Sequence, residues 1–214
     1  MKVLLAVIAA LLVCPPAFGA VTTLDFESLT DLELVTNQFP GLIFSNTVAL
    51  QSFSAVGGSL NDADFPPRSG ITVVSNGGVN AIGEPSIGGA IVIDFTTPVS
   101  SVGGFFTYGG PLTLTAFNTA HTQVAQVSSA FSENFVSSGS TPNELLQAEF
   151  AGGIAELRID IAPGDATFTL DDLTFAPVVS TAVPEPAALV LIVAGVLGLL
   201  TNQTLFVRVR RIIR

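Results

Sequence analysis

The sequence predicts an all-β fold, an antiparallel β-sandwich of jelly-roll-like type. Three observations carry that expectation. Between residues 20 and 176 the apolar residues fall in short runs rich in Val, Ile, Thr and Phe, separated by Gly, Pro, Asn and Ser. Where the runs are clearest the side chains alternate, as in Ile91-Val92-Ile93-Asp94-Phe95 and Leu157-Arg158-Ile159-Asp160-Ile161. No stretch outside the two ends of the chain has a helical period, Asn143 to Glu149 being the best short candidate.

In chain order the expected strands are Thr22–Phe26, Leu42–Ser45, Ile71–Val74, Ile91–Phe95, Val102–Tyr108, Leu112–Phe117, Gln123–Val127, Leu145–Phe150, Ile154–Ile161 and Ala166–Phe175. About ten short strands at this spacing suit two packed antiparallel sheets. Asn61 to Gly70 and Ser137 to Glu144 read as long loops, and residues 177–183 as a linker. Most of the Phe residues, among them Phe95, Phe150, Phe168 and Phe175, occupy core-parity positions. No internal repeat is visible.

The two ends read as an address. Met1-Lys2 is a short basic segment, Val3 to Val13 is continuously apolar, and Ala17 and Gly19 place small residues at −3 and −1 of a cut after Gly19. Residues 1–19 are therefore expected to be a signal peptide. Cys14 leaves with it, so residues 20–214 hold no cysteine for a disulfide, a thiolate metal site or a nucleophile. At the other end, residues 187–207 would make a helix of about 31 Å at ~1.5 Å per residue, against a hydrocarbon core of roughly 30 Å. Arg208, Arg210, Arg211 and Arg214 follow as a stop-transfer cluster that predicts a cytoplasmic C-terminus and an exported body. Thr201-Asn202-Gln203-Thr204 is polar, so the span can also end near Leu200.

Charge divides the chain. Of its 17 Asp and Glu only Glu185 lies outside residues 20–183, and within that stretch Arg68 and Arg158 are the basic residues. Such a surface repels nucleic acid and anionic lipid, which excludes nucleic-acid binding.

Chemistry is sparse in the body. Phe168 and Leu170 share one strand parity and Leu173 and Phe175 the other, so the apolar phase flips across Asp171-Asp172, as an inserted bulge residue would make it do. Asp25 and Glu27 flank inward-pointing Phe26. The architecture resembles jelly-roll carbohydrate-binding modules, which implies a structural calcium between the first and last strands with Asp25, Glu27, Asp171 and Asp172 as its candidate ligands, beside the plainer reading of solvated edge charges. Asn61, Asp62 and Asp64 form a second oxygen-rich loop that also suits a turn. His121 is the lone imidazole, too little for a His-based metal site, and no nucleophile elbow or phosphate loop appears. With no Trp and one Tyr, the candidate exposed platforms for a glycan are Phe65, beside Pro66-Pro67, and Tyr108, beside Gly109-Gly110-Pro111.

Val183-Pro184-Glu185-Pro186, the apolar span and the Arg cluster together resemble the PEP-CTERM sorting signal of Gram-negative bacteria that make exopolysaccharide. The resemblance implies that an exosortase, a membrane transpeptidase-like enzyme, acts near Pro184-Glu185-Pro186 after the span has lodged in the inner membrane. Leu24-Asp25-Phe26-Glu27, Asp64 to Gly70, Val102 to Tyr108, Phe150 to Ile154 and Phe168 to Asp172 resemble an uncharacterised sandwich domain of exported proteins carrying that signal, which implies no activity. The resulting expectation is a non-enzymatic surface or matrix protein, structural or adhesive in exopolysaccharide. The alternatives are a calcium-dependent carbohydrate-binding module and a hydrolase with a nonlocal carboxylate or Ser site.

Overall fold

The computed structural model describes residues 20–79, 85–87, 89–162 and 166–178, all of them within one compact unit, Ala17–Val179. The expected signal peptide with Ala17 and Gly19, residues 179–183 of the linker, Pro184-Glu185-Pro186, the 187–207 span and the Arg cluster lie outside the described residues. Among the described residues no helix is long and apolar enough to cross a membrane.

The chain builds ten strands: β1 (Thr22–Leu24), β2 (Leu42–Ser45), β3 (Thr47–Gln51), β4 (Thr72–Val79), β5 (Pro85–Ile87), β6 (Ile91–Tyr108), β7 (Leu112–Phe117), β8 (Gln123–Ser128), β9 (Glu144–Ile161) and β10 (Phe168–Pro177). A one-turn helix α1 (Phe53–Val56) and a 3₁₀ turn (Val136–Ser138) interrupt them. The strand order is β3-β4-β10-β6-β9-β7-β8, with β1 added to β10, β2 to β6 and β5 to β4. The pairings among these strands are antiparallel, and the sheet folds over one apolar cluster as a sandwich.

Four expected strands fuse into two long ones. Thr96-Thr97-Pro98 and Ala151-Gly152-Gly153 read as breaks in the sequence, but the β6–β9 register shifts there, between Asp94 and Val99 and again between Val99 and Ser101, and then resumes. A shift of one residue exchanges the two faces of a strand. Ile91, Ile93 and Phe95 are buried on the first arm of β6, whereas Val102, Phe106 and Tyr108 are buried on the second. β9 does the same with Leu146 and Ala148, then Leu157 and Ile159. The two irregularities face each other: Gly153, at φ +98°, leaves only enough room that a Cβ there would lie 2.9 Å from Pro98 Cβ. Pro98 is tolerated in a central strand because the ladder is already interrupted at that point.

Buried and partly buried rings fill the interior. Phe26, Phe39 and Phe44 form an edge-to-face trio with centroids 5.7 to 6.3 Å apart, and Phe95 meets Phe175 at 5.8 Å.

Leu145–Phe150 is strand as expected, and the best short helical candidate, Asn143–Glu149, falls at the opening of β9, where residues from Glu144 on pair with β6. β3 is not among the expected strands; it is covered on both faces, with Thr47, Val48 and Ala49 all buried and residues 33–35 hydrogen-bonded alongside through Val35 N–H to Thr47 O and Ala49 N–H to Glu33 O. The last strand continues to Pro177, one residue into the expected linker.

Candidate functional site

The bulge expected at Asp171-Asp172 is present. The β10–β6 register shifts between Asp171 and Thr174, and Asp172 adopts φ +48°, a left-handed conformation that Asp tolerates better than most residues. The shift turns both carboxylates onto the 66–71 loop. Asp171 Oδ2 accepts the main-chain N–H groups of Arg68 and Ser69 at 2.7 and 2.9 Å, and Asp171 Oδ1 that of Asp172 at 2.7 Å. Asp172 Oδ1 accepts the Ser69 hydroxyl at 2.8 Å. Glu27 grips the far end of the loop, accepting the N–H groups of Ile71 and Thr72 at 3.0 and 2.8 Å. From the other side Asn143 Nδ2 donates to Pro66 O at 3.1 Å.

This arrangement is a latch. The loop has no regular ladder of its own, so its N–H groups need other acceptors once they are desolvated. The three carboxylates supply them. Gly70 is required where the loop passes Glu27: its φ is +53°, and a Cβ there would fall on the Glu27 carboxylate. Gly70→Ala is expected to destabilise the domain by about 2 kcal/mol through backbone strain and the clash together, read as a lowered denaturation midpoint with an unchanged m-value.

The four candidate calcium ligands each have another partner in the structure. Asp25 Oδ1 receives the Glu27 N–H at 3.2 Å in a local turn, Glu27 and Asp171 are turned to main-chain donors, and Asp172 to Ser69. Among the described residues no group of three or more His, Cys, Asp and Glu is placed to hold a metal ion. Asp25 Oδ1, Glu27 Oε1, both Asp171 oxygens and Asp172 Oδ1 point at N–H and O–H groups.

The Asn61-Asp62-Asp64 loop is likewise divided among separate tasks. Asp62 accepts the hydroxyls of Ser52 and Ser54 beside α1, which holds its carboxyl below the usual range. Asp64 accepts the Ser137 N–H at 3.1 Å and the Asn61 amide at 3.2 Å, tying this loop to the 3₁₀ turn.

Tyr108 is not a platform. It is fully buried, and its hydroxyl donates to Glu144. Burial first, then that bond, pushes its phenol up to about 12. Phe65 is half-buried and stacked on Phe135 at 5.9 Å and 17°, so one face of the ring is covered. His121 is exposed, 3.4 Å from Glu156. A groove of about 200 Å³ opens beside Ala20, Thr22, Phe95, Pro98, Phe175 and Pro177, and none of its lining residues is titratable.

Two residues of consequence escaped the sequence reading. Arg68 lies over Phe105, its Cζ 4.6 Å from the ring centroid. Asn134 is fully buried and clasps the edge of β6. Arg68 had a local cue in the Pro66-Pro67-Arg68 loop; Asn134 had none.

No protein-family model and no curated protein matches the chain. Among solved structures it is similar to the K2 cleaved adhesin domain of Lys-gingipain, at 15% identity and TM-score 0.46 over 73% of this chain and 99% of that one. The K3 cleaved adhesin domain of Lys-gingipain from Porphyromonas gingivalis matches at 12% identity and TM-score 0.38, over 73% and 97%. A DUF4465 family protein from Bacteroides caccae matches at 10% identity and TM-score 0.36, over 73% and 98%. Scores below 0.5 define neither a family nor an activity.

Proposed function

We propose that the chain is an exported protein of the cell surface or extracellular matrix, sorted by its C-terminal signal, whose jelly-roll-like sandwich has a structural or adhesive role in exopolysaccharide. The observation that carries this reading is the order of Pro184-Glu185-Pro186, the 187–207 span and Arg208, Arg210, Arg211 and Arg214. After export the span holds the protein in the inner membrane, the Arg cluster stops transfer, and an exosortase-like enzyme acts near the Pro-Glu-Pro motif. The body is not an enzyme in this reading.

The strand pairing supports it. Thr22 of β1 lies opposite Phe175 of β10, so Ala20 and Val178 leave the sandwich side by side. A body attached in this way has its first and last strands hydrogen-bonded to each other, and removing the tail beyond Val178 takes none of the ten described strands.

Mass spectrometry of the mature C-terminus, in a strain with active exosortase, tests the sorting step. A terminus near Pro184-Glu185-Pro186 is expected, and Glu185→Ala is expected to leave the longer, membrane-retained form. An intact end at Arg214 in the wild type would reduce the tail to a plain anchor.

A further inference from the structure

β8 ends the sheet, next to β7, with its far side open. The direction of its main-chain groups follows from the ladder. Ser129 N–H donates to Leu112 O at 2.9 Å, and on the other side of β7 Ala162 N–H donates to Pro111 O at 2.9 Å. Even-numbered residues of β7 therefore bond toward β8 and odd-numbered ones toward β9. Leu114 lies opposite Val127 and Ala116 opposite Ala125, so these two residues of β8 turn their N–H and C=O groups to β7. Gln126 and Ser128, both exposed, turn theirs away from the sheet. Among the described residues no hydrogen bond from outside the β7 ladder reaches residues 123–128. Just beyond, the edge is closed, because the Ala130 N–H is taken by Glu144 at 3.0 Å.

An open edge is a template for another strand, and folded chains guard it with Lys, Pro, an inward charge or a covering segment. The other end of the sheet is covered in this way, by residues 33–35 lying along β3. β8 has no Lys, no Pro and no charged residue. Its one irregularity, the register shift between Ala116 and Phe117, sets Val124 apart and leaves Ala125 to Ser129 regular. Charge is absent around it as well. From Phe95 to Ser132 the chain holds no Asp, Glu, Lys or Arg, in a protein of net charge −10. The charged side chains across the sheet stand on β9, two strands in, about 10 Å away at ~4.8 Å per strand. They are already paired, Arg158 with Asp160 and Glu156 with His121.

We infer that β8 pairs antiparallel with β8 of a second copy of this chain, about a two-fold axis at Val127, joining two sandwiches through one continuous sheet. The open groups match. Gln126 lies opposite Ser128 of the second copy and Ser128 opposite its Gln126, and each pair exchanges both N–H to O bonds. The strand thus completes its own edge, with no other sequence required. Val127 meets its counterpart on the core side, where it already packs against the apolar cluster. A second copy is also the occupant that charge permits: two chains of net charge −10 repel, and this uncharged edge is where they approach at least cost. The contact is isologous and closes as a dimer. It depends on the strand edge and on neither the sorting tail nor the polymer of the matrix.

The test is sedimentation equilibrium of the full-length chain in neutral detergent, from about 10 to 500 µM, the range suited to a contact made of a few main-chain bonds and one Val pair. A monomer–dimer equilibrium is expected. Gln126→Pro removes an N–H that β7 does not use, so it should raise the dissociation constant roughly ten- to hundredfold with thermal unfolding unchanged. Crosslinking reads the register without altering the edge groups. With Cys14→Ser in place, Val127→Cys should form an intermolecular disulfide on oxidation, because residues at the axis are a non-hydrogen-bonded pair with Cα atoms about 4.5 Å apart. Gln123→Cys should not, its two copies lying about 26 Å apart at ~3.3 Å per residue. The inference is overturned if the wild type is monomeric throughout, if the two cysteine variants crosslink equally, or if Gln126→Pro dimerises as the wild type does, which would move the contact to the tail or another face. None of those outcomes touches the C-terminal mass, which reports on sorting alone.

Discussion

Asp171→Ala is expected to lower the unfolding free energy by about 3 kcal/mol, a large share of the roughly 5–15 kcal/mol available to a domain. The substitution leaves the N–H groups of Arg68, Ser69 and Asp172 without an acceptor in a place where the Asp171 side chain is almost wholly buried. Each stranded donor costs about 1–3 kcal/mol if it stays dry. Water reaching the released loop and relief of a buried charge offset part of that sum. Asp172→Asn, which keeps a residue tolerant of φ +48° and loses a charged acceptor only for the Ser69 hydroxyl, should cost less than about 1 kcal/mol. Chemical denaturation of the pair reads the difference, and chelator should not alter it, because the latch consists of hydrogen bonds and not of metal ligands.

The same carboxyl gives the domain a pH signature of unusual sign. Burial pushes Asp171 up to about 6, outweighing the N–H groups of Ser69, Asp172 and Arg68, which pull it down. A carboxyl that holds its proton more tightly when folded contributes most at low pH, and that contribution declines as pH rises through about 4 to 6. The shift corresponds to on the order of 2 to 3 kcal/mol. Glu33, Asp62 and Asp64 are held below the usual range and act in the opposite direction, losing stabilisation on acidification. They are common to wild type and Asp171→Asn, so the difference between the two isolates Asp171. The variant should gain on the wild type by about 2 kcal/mol between pH 4 and pH 7, and a pH-independent difference would place the ionisation elsewhere.

How much of this was legible depended on whether the physics was local. Leu42–Ser45 and Leu112–Phe117 were read at their true bounds because their letters alternate, and in Leu42–Ser45 burial alternates with them. The Asp171-Asp172 bulge was legible because parity errors are visible in a string of letters; the partners of those carboxylates were not, since Ser69 is 102 residues from Asp171. Calcium was one reading that excess acid invites, beside solvated edge charges; in the structure three of these carboxylates accept the loop's own N–H and O–H groups. Tyr108 could have been placed inside: it shares parity with Val102 and Phe106, and that phase outweighs the neighbouring Gly109-Gly110-Pro111 turn. β3 was hidden because a strand covered on both faces no longer alternates.

Asn134→Ala should be about as costly, again near 3 kcal/mol, although nothing in its sequence neighbourhood advertises it. β9 begins at Glu144, opposite Phe106, so beyond that pair β6 has no strand on this side. Asn134 fills the gap with its side chain. Its Oδ1 accepts the Tyr108 N–H at 2.7 Å, its Nδ2 donates to Phe106 O at 2.9 Å, and its own N–H donates to Tyr108 O at 2.9 Å. The amide thus reproduces one rung of a β-ladder at a fully buried position. Alanine keeps the main-chain bond and orphans the other donor and acceptor, both shielded from water by the core around Phe106 and Phe168. Asn134→Asp is the sharper comparison: the carboxylate still accepts from Tyr108 N–H but sets a buried charge against Phe106 O, and should be no better tolerated than alanine. Hydrogen exchange at the Tyr108 amide measures the local consequence directly. Protection there should fall in Asn134→Ala by at least as much as the global unfolding free energy falls, because that variant removes the acceptor of an amide at the end of β6.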